Sequence, residues 1–395
     1  MTNPVPSFKF DRLENFGGEG LLTSMSCLQL DRLLPDYIKR FEAYIPSRPD
    51  PELMRLYGCS RLYRLNNNEN PLGPSDAARE AIRNFAPPRA AIYPSGDAYY
   101  LRQKLAEKFG KHPDQFLVGN GANEVIGFVI KAFCETGDNI VTADKTFAVY
   151  EWVAEFSGFE ARLVPLKDYE FDDQGMLDRI DDRTKIVFLC NPNNPTGTYW
   201  NRERLERFLD TVDSRLIVVV DEAYCEFVEA EDYPDCMTLI DRYPNLVVFH
   251  TFSKMYGLAG LRIGYLAGEL SVVDAIRRTC VVYSVNALAQ EAALAAVGDE
   301  EHLVRSRKLV RDGRDFLKRE LSRLGLPFLA NEGNYVMIEL PMSDTLAYRK
   351  LMTQGVMVRT MTGFRFPNHI RVTISFMEAM EAFIGALEAI LRQPA

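Results

Sequence analysis

The sequence predicts an α/β fold: a large domain built on a mainly parallel sheet covered by helices, and a smaller α+β domain. Three observations carry this. Short all-apolar runs, Ile186 to Leu189, Leu216 to Val220 and Leu246 to Phe249, read as strands buried on both faces, as parallel strands are. Amphipathic helices alternate with them, such as Arg202 to Val212 with Leu205, Phe208, Leu209 and Val212 on one face. From about residue 270 the alternation gives way to a long charged helix, short strands and a closing helix. The division expected is an arm over 1–64 that joins the small domain, a large domain over 65–280 and a small domain over 281–395.

In the arm, Gly17 to Gly20 is a breaker cluster, Leu21 to Leu34 can form a short helix, and Pro46, Pro49 and Pro51 impose an extended path. The polar run Asn66 to Ser75 is either a long turn or the border of a polar site. Ser75 caps a helix through Phe85, and Tyr100 to Phe109 forms another. Phe116 to Val118 leads into Gly119-Asn120-Gly121-Ala122-Asn123-Glu124 and then the apolar helix Val125 to Phe133. Small residues at such a junction leave backbone N–H groups open to an anion, although a plain tight turn has the same pattern. Asn139 to Thr142 is a strand, Ala148 to Phe156 a helix with Trp152 and Phe156 one turn apart, and Ala161 to Pro165 a strand. In the last part, Glu301 to Leu324 carries Leu303, Val310, Leu317 and Leu324 at heptad spacing. Asn334 to Leu340, Val356 to Arg359 and Ile370 to Ile374 are strands, and Met377 to Leu391 closes the chain.

The chain has 395 residues, 47% of them apolar, enough for a sizeable core. A net charge of −9 argues against a nucleic-acid or anionic-membrane partner. Seven cysteines, an odd number with no C-x-x-C pair, fit reduced cytoplasmic thiols rather than disulfides or zinc, and no metal is expected. No apolar run approaches the ~18 residues of a membrane span.

The chemistry is concentrated at the ends of predicted strands: Asn191, Asp221 and Lys254. In an open α/β sheet the carboxyl edge is where ligands bind, so residues from three strands can converge there. Lys254 lies in His250-Thr-Phe-Ser-Lys-Met-Tyr-Gly-Leu-Ala-Gly-Leu-Arg262, with hydroxyls before it and an arginine after it. A lysine so placed can bond covalently to a carbonyl cofactor, and hydroxyls plus arginine can hold a phosphate. Taken alone, each has a plainer reading: surface lysine, turn asparagine, helix-cap aspartate.

Together, Gly119 to Glu124, Asn191 to Gly197, Asp221 to Tyr224, Ser253-Lys254 and Arg262 resemble, in order and spacing, the fold-type I aminotransferases that use pyridoxal 5′-phosphate. Within them the run Leu65 to Ser75, Tyr93-Pro94, Ser253 to Tyr265 and Gly355 to Ile374 are most similar to the histidinol-phosphate aminotransferase family, as is the entry segment Tyr44-Ile45-Pro46. The resemblance implies that Lys254 carries the cofactor as a Schiff base and moves the proton. Asp221 would pair with the pyridine nitrogen, and Asn191 and Tyr224 would hydrogen-bond the ring 3′-oxygen. Phe147 would lie against the ring. Backbone N–H groups of Ala122 and Asn123, with Thr251, Ser253 and Arg262, would hold the phosphate. Tyr93 would reach the neighbouring subunit's phosphate, which implies a homodimer.

On the substrate side, the same resemblance puts the carboxylate on Arg371, the distal group on Arg359, and Asn70 at the border. The implied reaction is transamination of histidinol phosphate or a related amino acid with a 2-oxo acid such as 2-oxoglutarate. Asn66-Asn67, Asn123 and Ser375-Phe376-Met377 depart from the family pattern, mostly on the substrate side. Alternatives are a decarboxylase resembling threonine-phosphate decarboxylase and an aromatic amino-acid aminotransferase. From other classes come a non-catalytic cofactor-binding regulator and a Schiff-base aldolase.

Overall fold

The computed structural model describes residues 30–41 and 48–392. The chain forms two compact units, Met1–Glu42 and Ala43–Ala395. In the first, the short helices Leu30–Leu33 and Asp36–Lys39 are separated by Pro35, which caps the second. The Gly17 to Gly20 cluster, the helix expected before Leu30 and the segment Tyr44-Ile45-Pro46 lie outside the described residues.

The strands of the second unit are β1 (Tyr63–Leu65), β2 (Phe116–Gly119), β3 (Asn139–Ala143), β4 (Glu160–Val164), β5 (Thr184–Cys190), β6 (Ile217–Asp221), β7 (Leu246–Thr251), β8 (Gly264–Gly268), β9 (Phe328–Leu329), β10 (Tyr335–Glu339), β11 (Val356–Thr360) and β12 (His369–Thr373). The larger sheet has the order β2-β8-β7-β6-β5-β3-β4. The pairs among β3 to β7 are parallel, while β8 is antiparallel to both neighbours. Connectivity explains the exception. Parallel neighbours need a crossover, and helices such as Val149–Phe156, between β3 and β4, and Arg202–Thr211, between β5 and β6, supply it. Between β7 and β8 there is only the 3-10 turn Ala259–Leu261, so β8 returns alongside β7. Every residue of β3, β6, β7 and β8 is buried, which is why these strands are runs of Val, Ile, Leu and small residues.

The second sheet, β1-β11-β12-β10-β9, takes its edge strand from the front of the chain: β1 pairs parallel with β11. All of Ile370 to Thr373 is buried, so the alternation in β12 does not separate a wet face from a dry one. Three further expectations change. Instead of an extended path, a helix Asp50–Tyr57 starts directly after Pro49, with Pro51 in its first turn, where a missing N–H costs nothing. Trp152 and Phe156 are exposed, and the helix Val149–Phe156 buries Tyr150, Val153 and Ala154 instead. In the helix Glu300–Leu324 the buried row ends at Leu321, and Leu324 is only half-buried.

The polar run after β1 crosses beneath the Lys254 loop. Gly257 has φ +66°, and a Cβ there would lie 2.1 Å from the Gly73 carbonyl oxygen. Both the left-handed backbone and the close approach require glycine. Gly257→Ala should therefore lower unfolding free energy by roughly 2–4 kcal/mol in denaturant melts. Gly385→Ala, in the closing helix with nothing within 4 Å, should be neutral or stabilising by up to about 1 kcal/mol.

Candidate active site

Parallel strands β5, β6 and β7 end on one edge of the large sheet, and a cavity of about 610 Å³ opens above them. Its walls include Ala122, Asn123, Phe147, Asp221, Tyr224, Thr251, Ser253, Lys254, Arg262, Arg359 and Arg371. Eleven residues singled out from the sequence thus meet in one place.

Asp221, last in β6, is 3% exposed. Its carboxylate accepts from Tyr150 Oη at 2.5 Å and from the Ala223 N–H at 3.1 Å. Burial raises its pKa, and the Tyr150 hydrogen bond opposes that rise. A carboxylate so placed calls for a cation, and the Lys254 amine bonds elsewhere: its Nζ donates to the Asn67 carbonyl at 2.7 Å. Burial, helped by the Arg371 and Arg262 charges, lowers the Lys254 pKa to about 7. Tyr224 Oη accepts from Asn68 Nδ2 at 2.9 Å and Asn194 Nδ2 at 3.4 Å, and burial pushes its pKa up to about 12.

The anion cup lies at the start of the helix Ala122–Phe133. The first helical N–H groups lack intrahelical partners and carry the positive end of the dipole. Gly121 has φ +80°, and a Cβ on it would come 2.3 Å from the Arg262 guanidinium, so only glycine lets Arg262 close the cup. Among the described residues no carboxylate is in salt-bridge range of Arg262.

On the opposite wall, Arg359 and Arg371 face each other across the β11–β12 pair. Arg371 is 5% exposed, donates to Asn194 Oδ1 and the Asn66 carbonyl, and keeps an Nε without a partner. Like charges directly opposite on a sheet repel. Neither arginine has a carboxylate within 4.0 Å among the described residues, so together they form an anion site.

Three expected residues lie elsewhere. Asn191 does not line the cavity: its amide group exchanges hydrogen bonds with the Trp200 backbone, at 2.8 and 3.1 Å, and so closes the loop after β5. Asn194, three residues on, takes the cavity position. Asn70 is buried behind the wall, donating to the Met255 carbonyl and Ser306, and Asn67 and Glu69 border the space instead. Tyr93 is 79% exposed and stacks on Tyr283 at 4.7 Å, away from this chain's cavity. Tyr150 carried no signal of its own, because an aromatic on an amphipathic helix reads as core. Only its spacing to Phe147, one helical turn, hinted at a shared face.

The sequence profile of the family "Aminotransferase class I and II" matches residues 60–387. The chain belongs to this aminotransferase family. Its relatives include the histidinol-phosphate aminotransferase of Moorella thermoacetica, 38% identical over 355 residues, covering 90% of this chain and 92% of that one. Histidinol-phosphate aminotransferase 2 of Pseudomonas fluorescens is 39% identical, covering 90% and 96%. Among solved structures, the aminotransferase superposes on the Sinorhizobium meliloti histidinol-phosphate aminotransferase in complex with pyridoxal 5′-phosphate. The TM-score is 0.81 at 26% identity, covering 94% of this chain and 99% of that one. The cavity fits that cofactor: a buried carboxylate without a cation, a lysine poised to lose its proton, and an anion cup closed by Arg262.

In the aminotransferase, the neutral Lys254 amine is the form that bonds to an aldehyde. With a pKa lowered from 10.5 to about 7, roughly 90% of it is neutral at pH 8, against about 0.3% for an ordinary lysine. Uptake of pyridoxal 5′-phosphate by the apoprotein, followed by absorbance, should speed up as pH rises through about 7 and then level off. Arg371→Gln removes a repelling charge and should move that midpoint upward. Lys254→Ala should give no borohydride-stable adduct.

Proposed function

We propose that this aminotransferase uses pyridoxal 5′-phosphate to exchange an amino group between histidinol phosphate and a 2-oxo acid such as 2-oxoglutarate. The observation that carries the substrate side is the opposed pair Arg359 and Arg371 above Lys254, an anion site distinct from the cup at Arg262. The M. thermoacetica and P. fluorescens relatives bear the same activity in their names. When bound, the cofactor supplies an electron sink for the carbon that carries the amino group.

The chain's residues do the rest. Asp221 faces the cofactor as a fixed negative charge, kept ionised by Tyr150 and the Ala223 N–H. Tyr224, Asn194 and Phe147 orient the ring from the cavity wall. Ala122, Asn123, Thr251, Ser253 and Arg262 hold the phosphate. Lys254, its amine made easier to deprotonate by burial, would carry the proton between the carbon that bears the amino group and the cofactor's carbonyl carbon. Arg371 grips the acceptor's carboxylate as a planar fork, and Arg359 answers the distal charge.

The enzyme works as a homodimer. Ile92, Tyr93, Tyr100, Val282 and Tyr283 are all exposed, Val282 at 67%, and Tyr93 and Tyr283 stack on each other. A second copy seated there brings Tyr93 to the partner's phosphate cup. The cytoplasm is its compartment, as the unpaired thiols of Cys59, Cys190 and Cys236 suggest.

A donor panel tests the reaction. Histidinol phosphate should convert the cofactor to its amine form faster than free aromatic amino acids, without carbon dioxide. Faster conversion by phenylalanine or tyrosine would point to an aromatic aminotransferase. Gas release with the cofactor still an aldehyde would point to a decarboxylase. Arg359→Gln should cost histidinol phosphate about 1.5–3 kcal/mol, roughly 10- to 150-fold in kcat/KM, mostly through KM. For the dimer, Val282→Asp should shift sedimentation to the monomer and weaken cofactor retention; a monomeric wild type would overturn the assembly.

A further inference from the structure

Behind the cavity, three side chains outside the reaction connect the ends of three strands. Glu222 follows Asp221 at the end of β6, and His250 sits in β7 just before Thr251. The His250 Nε2 and Glu222 Oε2 are 2.9 Å apart, with His250 6% and Glu222 3% exposed. The Tyr233 hydroxyl lies between two acceptors, 3.2 Å from Glu222 Oε1 and 2.5 Å from the Asn191 carbonyl, which follows β5. From the other side, Tyr265 of β8 stacks on the imidazole at 5.2 Å. Neither Glu222 nor His250 lines the cavity, yet each neighbours a residue that does.

Glu222, Cys225 and His250 also lie close enough to suggest a metal centre. The ring geometry argues otherwise. Nε2 faces Glu222 while Nδ1 faces Cys225 Sγ and Glu226 Oε1, both at 3.9 Å, so Glu222 and Cys225 lie at different nitrogens of the ring. The arrangement is a hydrogen-bonded chain. Burial alone would lower the His250 pKa, but the hydrogen bond and charge of Glu222, with the charges of Glu226 and Asp221, raise it.

We propose that Tyr233, Glu222 and His250 form a buried strap that clamps the carboxyl ends of β5, β6 and β7 and so sets the position of Asp221 relative to Thr251 and Lys254. These are positioning residues; none touches the reacting atoms. The strap rests on the reading of Asp221 and Lys254 as cofactor ligands.

The test uses the holoenzyme and the variants Glu222→Gln, His250→Gln and Tyr233→Phe. Visible circular dichroism per bound cofactor reports the ring's setting in the site. Glu222→Gln and His250→Gln should each change that ellipticity, weaken cofactor binding about 10-fold and lower kcat about 10-fold, with KM moving less than about 3-fold. The double variant should cost no more than either single one, because the pair acts as a unit. Tyr233→Phe, the mildest change, should shift the ellipticity in the same sense and keeps the test open where a charge variant fails to fold. Unmoved ellipticity and kcat with only a lower melting temperature would overturn the strap, as would additive losses. The wild-type visible band is the control. Its absence would sink the cofactor reading, whereas its presence with unmoved variants would sink the strap alone.

Discussion

A carboxylate held out of water at the end of a central strand must be answered by a cation, and Asp221 poses that demand. Moving an ion from water into a protein interior costs several kcal/mol unless hydrogen bonds and a counter-charge offset it. Tyr150 and the Ala223 N–H meet part of the need. The one amine in the cavity, Lys254, bonds to the Asn67 carbonyl. In the proposed function, the protonated ring nitrogen of the cofactor would supply the remaining partner. The other features follow from that position. Parallel topology brings β5, β6 and β7 out on the same edge, so Asp221, the loop after β5 and the Lys254 stretch share one space.

The opposite wall comes from the second sheet, and the polar run after β1 joins the two. The Asn68 N–H donates to Thr373 of β12 while its side chain donates to Tyr224. Arg371 of β12 donates to Asn194, in the loop after β5. The run that reads as either a long turn or the border of a polar site thus holds a buried cross-link between the sheets at Asn68, 0% exposed. Burial of so many amides is tolerable because most are paired, although the Oδ1 atoms of Asn66 and Asn334 are not. The unpartnered Nε of Arg371 lies next to the space that an anionic substrate would enter.

Much of this was legible in one dimension. Continuous Val and Ile runs announced buried parallel strands, and the placement of Asp221 and Lys254 at strand ends announced the site edge. The strand β8 was not legible, because Gly264, Ala267 and Gly268 carry little apolar bulk and its identity lies in its neighbours. Nor could the sequence separate Asn191 from Asn194. Both precede a proline in the same loop, and what separates them is that the backbone of Trp200, at the far end of that loop, folds back to occupy the Asn191 amide. Asn70 turns away from the cavity because its partners Met255 and Ser306, far away in sequence, hold its side chain.

Beyond what a family resemblance implied about phosphate, ring nitrogen and proton, the sequence by itself determined the class of fold and the strand ends at which its polar residues gather. These depend on periodicity and local spacing, which are properties of short segments. Only the tertiary structure decided which asparagine faces the cavity, that Arg359 and Arg371 stand opposite each other, that Tyr150 donates to Asp221, and that Glu222 pairs with His250. Those choices depend on the register between strands and on which polar groups find partners once water is excluded, and no local pattern encodes either one.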